Sequence, residues 1–127
     1  MVDKDIEEGI NYYKEGDYAK SKEIFYNKYK VDKENPLINK FIALILINEK
    51  DQKNAWKFAT KALEMNPEDK ENWIILAQAF LKDNKIDEAK MVVAQALKNG
   101  LNKTYVGKIE KEISRRVNDL LIDSSFE

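Results

Sequence analysis

Apolar side chains recur along this chain at helical spacings. No strand-like alternation bounded by turns occurs, and only four Gly and two Pro interrupt the pattern. Periods of three and four mark helices with one buried face. Seven are predicted, near residues 3–15, 18–31, 36–49, 52–65, 70–83, 86–98 and 104–122. Pro36 suits a helix start, where its missing N–H is no loss. Gly100, after Asn99, suits a helix C-cap because it takes the left-handed conformation that closes one. Residues 123–127 are expected to fray.

A second, longer period lies over the first. A shift of 34 aligns Gly9 with Ala43 and Ala77, and Ser21 with Ala55 and Ala89, while Ala62 pairs with Ala96 and Leu63 with Leu97. Bulky Tyr12, Leu46 and Phe80 align in the same register. The copies run 2–35, 36–69 and 70–103 without insertion, and self-similarity at that length means stacked helical hairpins. Small residues are needed where two helices cross closely, since a larger side chain there costs about 1–3 kcal/mol by overpacking. Ala55→Leu is therefore expected to destabilise the fold.

Beyond the copies, Val106, Ile109, Ile113, Val117, Leu120 and Leu121 form a single apolar stripe on the last predicted helix. That stripe is expected to cover the exposed flank of the third hairpin, with Glu110, Lys111, Arg115 and Asp119 turned to water. Lys108, Lys111 and Arg115 are read as part of this solvated face. Asp5, Glu8 and Asn11 are polar where the third copy has Trp73, Leu76 and Ala79, as expected of the solvent-facing end of a stack.

Composition narrows the function. The 127 residues suit one domain, 1–127, with a tail at 123–127. Twenty-two basic and 23 acidic side chains give a net charge of −1, too balanced a surface to favour nucleic acid or an anionic membrane. With no Cys and no His there are no disulfides, no usual zinc site, no thiol nucleophile and no imidazole base. Adjacent carboxylates such as Glu7–Glu8 and Asp87–Glu88 do not face each other on a helix, so they make no acid–base dyad. No phosphate loop, nucleophile motif or metal spacing occurs. The expectation is a protein without catalytic residues, cofactor or metal. The longest apolar run, 41–47, is far below the roughly 20 residues that span a bilayer, and the acidic start lacks the features of a secretion signal. A cytoplasmic location is expected.

The third copy reads Trp73-Ile-Ile-Leu76-Ala77-Gln-Ala-Phe80 and continues to Ala89 and Ala96. It resembles the tetratricopeptide repeat, whose pattern runs Trp, Leu-Gly, Tyr, then Ala, Phe and Pro. The second copy keeps Ala43, Ala55, Ala62 and Pro67 but has Asn39 for the Trp. The first keeps Gly9, Tyr12, the turn at Gly16, Ser21 and Phe25, and has Lys33 where the Pro would be. The resemblance covers residues 2–103. It implies an all-α, right-handed superhelix, an α-solenoid of three antiparallel hairpins, with residues 104–122 as a seventh, capping helix.

The family's groove positions, carried over residue by residue, fall on Ile6, Ile10 and Tyr13, on Leu37, Lys40, Phe41, Leu44, Ile47 and Asn48, and on Ile74, Ile75, Gln78, Leu81 and Lys82. The resemblance implies a non-catalytic module that binds a peptide or amphipathic helix of a partner, as adaptor or small chaperone, with apolar anchors on this face and Lys40 and Lys82 setting orientation. The alternative is a homo-oligomeric scaffold assembled through the groove or the last helix. The opening helix of the second copy is apolar on every side, so it is either wholly buried or presents surface to a partner. Relatives that grip the acidic tails of heat-shock chaperones use a clamp of Lys, Asn, Asn, Lys and Arg. Ile6, Ile10, Phe41, Glu71 and Ile75 stand at those positions, so the clamp is absent.

Overall fold

A computed structural model describes residues 3–125, all of its regular structure helical. The elements are α1 (Lys4–Lys14), α2 (Tyr18–Val31), α3 (Pro36–Asn48), α4 (Gln52–Met65), α5 (Lys70–Lys82), α6 (Ile86–Lys98) and α7 (Lys103–Ser125). Local chemistry sets the ends. The side chains of Asp3, Asn35 and Asp69 accept hydrogen bonds from the first free backbone N–H groups of α1, α3 and α5. Each of these helices closes in one way. The N–H of Asp17, Asp51 and Lys85 reaches back to the carbonyls of Tyr12, Leu46 and Phe80, at 2.9, 2.9 and 2.8 Å. This closure requires a left-handed residue one position earlier, and Gly16, Lys50 and Asn84 occupy it with φ of 84°, 65° and 59°. The turn therefore repeats every 34 residues even where its glycine does not.

Consecutive helices pack as antiparallel hairpins, and the odd-numbered helices also touch one another in sequence: α1 on α3, α3 on α5, α5 on α7. Among the described residues the even-numbered helices approach each other less closely, and α2 meets α4 through side chains, the Tyr29 and Phe58 rings lying 5.3 Å apart. The odd row is the more closely spaced, so it forms the inner, concave wall of a solenoid and the even row forms the outer one.

Two apolar clusters, centred on the first two hairpins and on the last hairpin with α7, are bridged by Leu44, Ile47, Trp56 and Phe58. The periodic small residues sit at the tightest crossings. Ala43, Ala55, Ala77 and Ala89 are fully buried, and a Cβ on Gly9 would lie 2.9 Å from the buried Phe25 ring. Ser21 uses the same crossing to donate its hydroxyl to the Gly9 carbonyl at 2.8 Å. Asn39 shows how the second copy does without its Trp. Trp73 Nε1 donates to the carbonyl of Pro67 at 2.9 Å, and Asn39 Nδ2 donates one period earlier to that of Lys33 at 3.0 Å.

The last helix departs from expectation. Val106, Ile109 and Ile113 are buried against α5 and α6, and Val117 is half-buried, but Leu120 and Leu121 stand 55% and 64% exposed. The helix outruns the hairpin it covers, so only the first part of its stripe finds a partner. Nor does the backbone fray at 123: α7 runs through Ser125, and residues 126–127 lie outside the described ones. Among the described residues no helix is long and apolar enough to cross a membrane.

Candidate peptide-binding face

The concave wall gathers side chains from α1, α3, α5 and α7. Its apolar candidates fall into two groups. Ile6, Phe41, Ile75 and Leu81 are buried within the chain, because α3 and α5 are enclosed by neighbours on both sides and behind. They support the wall and do not form its surface. Phe41, for example, stacks on Phe25 at 5.2 Å and takes the edge of Tyr13 at 5.5 Å. Ile10, Tyr13, Leu44, Ile47 and Ile74 are half-buried, and Leu37, at the first turn of α3, is 40% exposed. The helix that is apolar on every side is thus mostly interior: eight of its 13 residues are buried.

Two of the four polar candidates are already engaged. Lys40 is nearly buried and reaches across to the next hairpin, 2.9 Å from Asp69 and 3.3 Å from Glu71. Burial works against its charge, but the hydrogen bond it donates to Asp69 and the two carboxylate charges outweigh that and hold its ammonium above the usual lysine range. This ties Lys40 to its own chain, so the role of orienting a ligand does not fit it. Asn48 donates to its own helix at the Leu44 carbonyl, 3.1 Å away, and to the Tyr13 hydroxyl at 3.4 Å. Gln78 is half-buried and Lys82 exposed.

The wall has a fourth member that the groove positions omit. Tyr105, Lys108, Glu112 and Arg116 of α7 stand one period after Glu71, Ile74, Gln78 and Lys82, so the 34-residue register itself was the signal for them. Arg116 fastens α7 to the end of α5, donating to the Leu81 carbonyl at 2.8 Å and to Asn84 Oδ1 at 3.2 Å. Glu112 accepts from both Arg115 and Arg116, and those hydrogen bonds lower its carboxyl to about 2. Because α7 touches α5 and α6 but neither α1 nor α3, it extends the concave wall and leaves the first part of it uncovered. Among the described residues no group of three or more acidic side chains is placed to hold a metal.

An all-helical stack with this register is the tetratricopeptide class of solenoid. Residues 41–69, most of the second hairpin, match the family model described as tetratricopeptide repeat, and the hairpins on either side repeat the same fold. No curated protein matches it significantly in sequence. Among solved structures it is similar to the Hsp90 co-chaperone Cns1 from Saccharomyces cerevisiae, with a TM-score of 0.78 and 20% identity over 96% of this chain and 41% of that one. The first TPR domain of Spaghetti (RPAP3), bound to the HSP90 peptide SRMEEVD, gives 0.75 and 21%, over 88% and 89%. The second TPR domain of human RPAP3, in complex with the HSP70 peptide SGPTIEEVD, gives 0.72 and 23%, over 85% and 91%. At these identities the likeness establishes a shared fold.

Proposed function

We propose that this protein is a non-catalytic interaction module that binds an extended or amphipathic peptide segment of a partner along the concave wall. The observation that carries this reading is the band of Ile10, Tyr13, Leu37, Leu44, Ile47 and Ile74, partly open to solvent along three adjacent helices and uncovered by α7. A buried core spares no such band, and each large apolar side chain covered by a partner is worth up to about 1.5–3 kcal/mol. Two of the similar domains hold chaperone peptides, which supports an adaptor role beside chaperones. The mode of grip differs. A carboxylate clamp needs donors at Ile6, Ile10, Phe41, Glu71 and Ile75, where this chain offers aliphatic and aromatic side chains, and a Glu already paired with Lys40.

Leu37→Asp tests the reading. An acidic residue in the first turn of a helix suits its dipole, so the melting temperature should hold while binding of a peptide selected from an apolar library is lost. Retained binding sinks the proposal.

A second reading, self-association through α7, is favoured by exposed Leu120 and Leu121 beside half-buried Val117 and Ile86. Light scattering over a dilution series decides it, since a monomer at every concentration rules it out.

A further inference from the structure

Charge along the concave wall is uneven, and the excess collects at one end. The carboxylates of the wall are already paired: Asp69 and Glu71 with Lys40, Glu112 with two guanidinium groups. The cations Lys82, in the last turn of α5, and Lys108, on the facing side of α7, have no hydrogen bond or ion pair among the described residues. Both line one open pocket of about 240 Å³, floored by Leu81 and Ile109 and shared with Gln78 and Arg116. Only one acidic side chain, Glu112, reaches it, and that charge is spent on Arg115 and Arg116. Along α5 the wall thus changes over two turns from Ile74 through Gln78 to Lys82. Unpaired ammonium groups beside an apolar floor favour a carboxylate carried on an apolar chain, and in a partly enclosed site the attraction is less screened than on open surface.

We propose that this pocket receives a carboxylate of the bound segment. The segment then lies with its apolar side chains over α1 and α3 and an acidic group between Lys82 and Lys108. This rests on the concave-wall reading and adds to it a direction and a chemistry: the partner is a polypeptide whose apolar stretch is followed by an acidic side chain or by its own chain end. The site is separate from the positions of the carboxylate clamp.

The experiment uses the full chain and fluorescence anisotropy. The probes are labelled peptides from a library with apolar residues at varied positions, each made with a terminal Glu amide, a Gln amide, or a Gln with a free α-carboxylate. Two exposed ion pairs together are worth about tenfold in affinity at low salt. At least one carboxylate form should bind about tenfold tighter than the Gln amide. The preference should vanish at high salt and in the Lys82→Ala/Lys108→Ala double variant, whose melting temperature should match that of the wild type. The Glu amide and the free chain end tell a side chain from a terminus. Equal binding of all three forms, lost in Leu37→Asp, overturns the carboxylate site and leaves the groove standing. No binding by any peptide, or binding indifferent to Leu37→Asp, overturns both.

Discussion

Helices α3 and α7 carry their apolar residues differently, one on nearly every side and one in a single stripe, and they meet opposite fates. α3 touches α1, α2, α4 and α5, so a helix greasy on all sides is consumed almost entirely by the core. α7 touches only α5 and α6, and it projects past them, so a helix with one tidy stripe leaves part of that stripe in water. The number of neighbours, more than hydrophobicity, decides how much of an apolar face remains for a partner.

Substitutions can break or sharpen this contrast. Ile42→Ala in α3, where the side chain is fully buried, should cost about 2–5 kcal/mol through lost burial and the cavity left behind, read from urea unfolding. Ala55→Leu, at the crossing on α4 with no free surface, should cost about 1–3 kcal/mol by overpacking; unchanged stability would mean that the small residue is not holding two backbones together. Lys50→Gly should stabilise by about 1 kcal/mol, since glycine takes the left-handed conformation that closes α3 without steric strain, and thermal melting reads the gain. Leu121→Ser on the overhang of α7 should leave stability within about 0.5 kcal/mol, measured by the same melts.

The smallest effect is one of pH. Glu112 titrates at about 2 in the folded chain, below its ordinary value of 4.5, through its bonds to Arg115 and Arg116. A lowered carboxyl contributes stability above pH 4.5 and loses it as pH falls toward 2. A carboxyl NMR titration should place its midpoint near 2 in the wild type, and closer to 4.5 once both arginines are replaced by Gln.

The fold was largely legible before any coordinates. Gly9, Ser21, Ala43, Ala55, Ala77 and Ala89 lie at tight crossings because a solenoid demands the same clearance at each repeat, and that demand survives when sequence identity does not. Lys50 in the left-handed position was hidden, because lysine carries no sign of that geometry; only the register with Gly16 reveals it. The candidate face was legible in position but not in exposure. Ile6, Phe41, Ile75 and Leu81 follow the groove register, yet whether such a side chain shows outward depends on how deeply its neighbours enclose it. The engagement of Lys40 is hidden for a related reason. Its partners, Asp69 and Glu71, lie a hairpin away, and nothing local announces that they will neutralise it. Lys108 belongs to a helix outside the three copies and reads as solvated surface, and Arg116 of the same helix draws no notice, although the same period reaches both.

The spacing of the two rows gives the solenoid a preferred way to yield. In the outer row α2 meets α4 only side chain to side chain, Tyr29 on Phe58 at 5.3 Å, whereas the odd row approaches backbone to backbone and is strapped at Lys40 to Asp69 and Glu71. The outer edge is thus the looser seam of the stack, and Lys40 is the rivet that joins the second hairpin to the third.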